Sequence, residues 1–144
     1  MDMAEVKEFI RNSTKESAVY VGCDSQSGRH KGKRVSRFVT VVVIHKNSAN
    51  GAKVFHRIDN MPLFKSNRER LMKEVELAVQ IAYEISDVVG DRPFEVHLDI
   101  NSKETEFSNV VIKEAVGWVS GMGFTARTKP DAFAATCAAD KFTR

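Results

Sequence analysis

The chain has 144 residues, of which 42% are hydrophobic and 28% charged. That length suits one domain with a substantial core, and the composition excludes a disordered, collagen-like or disulfide-stapled chain. The formal net charge is only +3, and no apolar run approaches the ~20 residues of a membrane span, so one water-soluble domain over residues 1–144 is expected.

Residues Met3 to Asn12 place Val6, Phe9 and Ile10 on one side of a short amphipathic helix. The opening MDMAEVKEFI is acidic and amphipathic rather than basic then apolar, so no secretory leader is read there. Ala18 to Cys23 is a β-rich apolar run that predicts a central strand ending at Asp24. SQSGRHKGK is expected as a loop leading into RFVTVVVIHK, the longest strand. NSANG is a hairpin turn that returns the chain through AKVFHRID, giving three antiparallel strands.

Helical spacing then takes over. Ser66 with Glu69 forms a capping box, and Leu71, Val75, Ala78, Ala82 and Ile85 line one face through Ser86. FEVHLDI predicts a fourth strand, and Ser108 to Ser120 a second long helix burying Val111, Ala115, Trp118 and Val119. FTARTK predicts a short fifth strand, and Pro130 suits the first turn of a final helix, AFAATCAADKF. The order is βββαβαβα with an extra helix in front, an α/β (α+β) arrangement.

Four carboxylates are the candidate functional residues. Asp24 and Asp99 end apolar runs where the chain meets solvent, which is costly for a charge unless it is paired or metal-bound. Glu74 lies three residues after Leu71 and four before Ala78, close to the buried stripe, whereas Glu69 and Glu76 point further away. Asp140 stands near a helix C-terminus, where a carboxylate opposes the helix dipole. If the four converge they repel, and a cation normally neutralises such a group. An all-oxygen donor set favours Mg²⁺ or Mn²⁺.

Other features are less pointed. The run RHKGKRVSR carries five Lys or Arg and one His, either a solvated loop or a grip on a phosphate backbone. His97 alternates with Asp99 but reads as a satisfied core or surface residue rather than a ligand. Cys23 and Cys137 form no CxxC pair; they read as small buried hydrophobes in a reducing, cytoplasmic setting.

Five strings give the sequence a resemblance: VGCDSQ at 21–26, RERLMKE at 68–74, VHLDIN at 96–101, EAVGWVSGMGF at 114–124 and KPDAFAATCAAD at 129–140. In that order they resemble the YkuK-like family of uncharacterised ribonuclease H-like proteins, from about Tyr20 almost to the C-terminus. The resemblance implies a ribonuclease H-like fold, a five-stranded mixed sheet in βββαβαβα order with strands 1 and 4 as neighbours. It also implies that Asp24, Glu74, Asp99 and Asp140 are the catalytic, metal-holding residues, around two Mg²⁺ or Mn²⁺ ions. Two such ions about 4 Å apart activate a water and meet the leaving oxygen in phosphodiester hydrolysis. Ser25 and Gln26, directly after Asp24, read equally as substrate contacts to a phosphate or sugar or as a polar strand end, and Lys129, just before Pro130, as a partner for the scissile phosphate or, more simply, a surface lysine. The activity implied is a divalent-metal-dependent nuclease acting on RNA, DNA or hybrid; the alternative is a non-catalytic nucleic-acid or protein-binding module of the same fold. No membrane partner is expected, and junction resolution on this centre would require a twofold homodimer.

Overall fold

The computed structural model describes residues 1–46, 51–101 and 107–134. Eight elements follow in order: α1 (Met3–Asn12), β1 (Ala18–His30), β2 (Lys33–His45), β3 (Ala52–Met61), α2 (Asn67–Val89), β4 (Phe94–Asn101), α3 (Asn109–Gly121) and β5 (Thr125–Lys129). The strands form one mixed sheet in the order β3-β2-β1-β4-β5. β2 is antiparallel to both β1 and β3, while β4 is parallel to β1 and β5. The five-stranded architecture, with strands 1 and 4 adjacent and an added N-terminal helix, is the expected one.

Period-two alternation gives the sheet two different faces. Val19, Val21 and Cys23 of β1, with Val96, Leu98 and Ile100 of β4, pack against α1 and the buried stripe of α2. That stripe contains Leu71, Val75, Ala78, Ala82 and Ile85, as its spacing predicts. Burying each of its larger aliphatic side chains contributes about 1.5–3 kcal/mol. Both helices start on side-chain caps: Asp2 Oδ1 accepts from Ala4 N at 3.0 Å, and Ser66 Oγ from Glu69 N at 3.1 Å. The opposite face carries a smaller cluster, in which Val39, Val41 and Val43 meet Ala134, with Tyr20 packed against them.

The chain departs from the sequence reading in three described places. The expected loop SQSGRHKGK is not a loop, because β1 and β2 run on as a ribbon paired through Gln26↔Arg37 to His30↔Lys33. A two-residue turn closes it, with Lys31 at φ 52° and Gly32 at φ 78°. Positive φ at both positions matches strand twist, but only Gly32 advertises it in the sequence. Pro130 does not open a helix: its peptide with Lys129 is cis, Asp131 N–H closes a turn on the Thr128 carbonyl at 2.9 Å, and helical backbone begins at residue 133. Trp118 is 38% exposed rather than core, because α3 seats Ala115 and Val119 on the molecule and leaves Trp118 on the rim beside Met72 and Arg68. Residues 135–144, and with them Cys137 and Asp140, lie outside the described residues, as do 47–50 of the expected hairpin turn.

Candidate metal centre

β1 and β4 pair in parallel only from Val19↔Phe94 to Gly22↔His97. Asp24 and Asp99 follow that last pair by two residues on each strand, so both carboxylates stand where neighbouring strands part. β4 and β5 shift register between His97 and Asn101, which sets Asn101 opposite Lys129. Such an irregularity re-aims side chains next to it. Glu74 comes from α2, on the other face of the sheet, and enters at this parting. One carboxylate oxygen each from Asp24, Glu74 and Asp99 lies within 4.8 Å of the others.

Asp24 and Glu74 are only 4% and 5% exposed, so mutual repulsion is poorly screened. Burial, together with the hydrogen bond and charge of Asp99, pushes the Asp24 carboxyl up to about 8. Burial also pushes Asp99 upward, but the hydrogen bonds from Asp24 and Lys129 outweigh it and hold Asp99 below its ordinary value. At neutral pH Asp24 therefore keeps a proton and donates it to the Asp99 carboxylate, as two acids sharing one site do. Lys129 Nζ lies 2.5 Å from Asp99 Oδ1 and supplies the balancing positive charge.

Glu74 is pushed well above its ordinary value, chiefly by burial, with the negative charge of the Asp24–Asp99 pair adding to this. The Ser25 hydroxyl opposes that shift by donating to Glu74 Oε2 at 2.5 Å. Arg70 sits one helical turn before Glu74, with Nη1 at 3.1 Å from both the carbonyl and the hydroxyl of Ser25 and 3.8 Å from Glu74 Oε2. Arg70 donates to Ser25 and Ser25 to Glu74, a chain of hydrogen bonds that fixes where the carboxylate points.

The structure gives the expected site residues different positions. Asp24, Glu74 and Asp99 come together. Lys129 joins them through Asp99. Ser25 is only 3% exposed and its hydroxyl is committed to Glu74, so it holds a carboxylate instead of facing outward. Gln26 is exposed, one step further along β1. Asp140 lies outside the described residues. Arg70 was absent from the sequence reading, although its i, i+4 spacing to Glu74 was the available signal.

His97 is a satisfied core residue, as expected. Its Nδ1 accepts from Ala134 N–H at 3.1 Å, so its Nε2 carries the proton and donates to Glu95 Oε1 at 3.0 Å. Burial lowers its pKa, against the opposing pull of Glu95. Its ring packs between Tyr20 and Phe133, with centroids 4.7 and 5.1 Å away, and this ties the start of the last helical segment to the sheet.

The donors at the parting are all hard oxygens, and a proton and an ammonium hold the charge that a divalent cation would otherwise hold. The residues therefore fit Mg²⁺ or Mn²⁺. Among the described residues no helix is long and apolar enough to cross a membrane.

The uncharacterized protein YkuK of Bacillus subtilis (strain 168) is 29% identical over 160 aligned positions, covering 99% of this chain and 88% of that protein. No solved structure gives a significant match. The family model described as ribonuclease H-like matches residues 2–144, and it fits a chain whose first and fourth strands lie side by side with an aspartate on each: the chain belongs to the ribonuclease H-like family.

Proposed function

We propose that the chain is a divalent-metal-dependent nuclease that hydrolyses nucleic-acid phosphodiester bonds. The observation that carries this reading is the convergence of Asp24, Glu74 and Asp99 within 4.8 Å. Asp24, Asp99 and Glu74 would hold the metal, with Asp140 as a fourth carboxylate. Bound Mg²⁺ or Mn²⁺ supplies an activated water and charge neutralisation at the phosphate.

The chain's own residues prepare for this. The proton that Asp24 shares with Asp99 would leave as a cation took its place. Lys129, which now pairs with Asp99, would then be free to meet a phosphate oxygen. Ser25 and Arg70 keep Glu74 aimed and oppose its protonation.

Hydrolysis of labelled RNA, DNA, hybrid and branched substrates with Mg²⁺ or Mn²⁺ tests the reading against Asp24→Asn. Cleavage by the wild type and its loss in the variant are expected. Absence of any cleavage, or equal cleavage by both proteins, refutes it.

One observation favours a second reading, a nucleic-acid or protein-binding module without catalysis. Lys129 and the shared proton already neutralise the Asp24–Asp99 pair, so the cluster can persist with no cation. Calorimetric titration with Mn²⁺ separates the two, because the nuclease requires binding and the module does not.

A further inference from the structure

The β1–β2 ribbon is the largest feature that this chemistry leaves unused. β3 accompanies β2 only to Ser36, and β4 accompanies β1 only to Gly22. Beyond Ser36 the ribbon continues alone through the pairs Gly28↔Val35, Arg29↔Arg34 and His30↔Lys33. At ~3.3 Å per residue it projects roughly 10 Å before its turn.

An isolated two-stranded ribbon is marginal at best, and this one is built against its own stability. Arg29 stands directly opposite Arg34, and His30 opposite Lys33. The two guanidinium charges of Arg29 and Arg34, directly across the strand pair, destabilise it. Residues 25–38 contain no Asp or Glu, and among the described residues no carboxylate pairs with Arg29, Lys31, Lys33 or Arg34. An anionic partner accounts for charges that folding does not need.

The arrangement specifies that partner further. Period-two alternation puts the Arg29/Arg34 pair on one side of the ribbon and His30/Lys33 on the other. Arg37 lies on the His30/Lys33 side, which is also the side of Asp24. Its guanidinium is fixed there, with Nη2 on the Arg29 carbonyl at 2.8 Å and Nε on Asn60 Oδ1 at 3.1 Å. It lies over Gly28, where a Cβ would come within 3.4 Å of it. One side therefore carries a cationic track that runs back to the carboxylate cluster, and the other carries its own cations.

A single strand would meet one side only and is normally held on stacked aromatics, which residues 25–37 lack. Cations on both sides suit a ribbon lying between two phosphate backbones. The major groove of B-form DNA, about 12 Å wide, admits a two-stranded ribbon, whereas that of an A-form duplex is deep and narrow. We infer that the β1–β2 ribbon is a docking arm for B-form duplex DNA, seated in the major groove, with Arg29 and Arg34 towards one phosphate strand and Lys33 and Arg37 towards the other. This deepens the nuclease reading by naming its substrate class, but the docking itself needs neither metal nor cleavage.

Fluorescence anisotropy in EDTA tests it, with labelled duplex DNA, the same sequence single-stranded, and double-stranded RNA, each over a salt series. Wild type binds duplex DNA most tightly. Arg29→Ser with Arg34→Ser lowers the slope of log K against log salt by roughly 2, at ~0.9 for each phosphate that is no longer neutralised. Arg29→Lys with Arg34→Lys restores the slope. The melting temperature of each variant and its shift with Mn²⁺ report that the fold is intact. An unchanged slope in the serine variant, or equal affinity for all three nucleic acids, overturns the inference. So does tighter binding to phosphatidylglycerol vesicles than to duplex DNA, which would assign the arm to a membrane surface. Docking without cleavage upholds the arm and removes the nuclease reading; cleavage without ribbon-dependent docking does the reverse.

Discussion

Replacing Asp24 by Asn in the metal-free protein isolates the energetics of the cluster. Burial and Asp99 push the Asp24 carboxyl up to about 8, against about 3.9 in an unfolded chain. The folded state therefore holds a proton that the unfolded state has lost between these two values. Stability in that window falls as pH rises, by up to ~1.4 kcal/mol per pH unit. Between about pH 6 and about pH 9 the expected loss is on the order of 2–3 kcal/mol, or roughly 10 °C in melting temperature for a chain of this size. Glu74, also pushed up by burial, adds a slope of the same sign in both proteins. Asp99, held below its ordinary value, acts only under about pH 4. The asparagine cannot ionise, and its amide donates to Asp99 as the protonated acid does. Asp24→Asn should therefore match the wild type only near pH 4, exceed it already near pH 6 and by more near pH 9, and lose the Asp24 part of the slope. Thermal melts in EDTA across that range provide the measurement. If the two proteins show parallel pH profiles, or the variant is the less stable at alkaline pH, Asp24 is not a protonated partner of Asp99.

Three further outcomes follow from neighbouring contacts. Mn²⁺ should stabilise the wild type by ~2.7 kcal/mol at a hundred times its dissociation constant, with a much smaller effect on Asp99→Asn; equal shifts in both would place the ion elsewhere. Ser25→Ala removes the hydroxyl that holds Glu74 and should weaken Mn²⁺ binding roughly 10–100-fold by calorimetry; unchanged affinity would deny Ser25 that role. His97→Phe can keep the ring packing but strands the Ala134 N–H, at a cost of about 1–3 kcal/mol near neutral pH in denaturant melts. Because the pKa of His97 is lowered, the stability it confers is present above about pH 6.5 and lost as pH falls, and that acid loss should vanish in the variant.

The architecture was legible because its signals were periodic. The stripe from Leu71 to Ile85 repeats at helical spacing over four turns, and Ser66 with Glu69 marks its start, so α2 followed directly. The ribbon was hidden for the opposite reason: glycines and charges in SQSGRHKGK carry no alternating apolar pattern, and Lys-Gly is a weaker turn signature than the Asn-Gly that closes NSANG. Trp118 misled because helical spacing gives a face but not its width, and the face that α3 buries is narrow enough to leave a large ring on its edge. Within the site, the sequence pointed to Asp24 and Asp99 because a carboxylate at an apolar boundary is costly, and to Glu74 through its spacing beside the buried stripe together with the family resemblance. It could not assign Ser25, since a serine beside an aspartate reads equally well as a substrate contact. Only the alternation of β1, which turns Asp24 and Ser25 to opposite faces, sends the hydroxyl to Glu74.

That alternation also explains how a helix on one face contributes to a site on the other. A continuous β1–β4 ladder would close the sheet and separate Glu74 from Asp24. The ladder stops at Gly22↔His97, and the register shift between β4 and β5 falls just beyond it. Three acidic groups can therefore meet through the opening, at an electrostatic cost that Asp24 meets by keeping its proton and Asp99 by binding Lys129. Each of those two compensations is reversible by a cation, whereas hydrophobic packing around the same opening would not be. The parting of the strands, the raised Asp24 and the Lys129 contact are thus one arrangement: a sheet opened where the negative charge is balanced by a proton and an ammonium, the two groups that a divalent cation would replace under the proposed function.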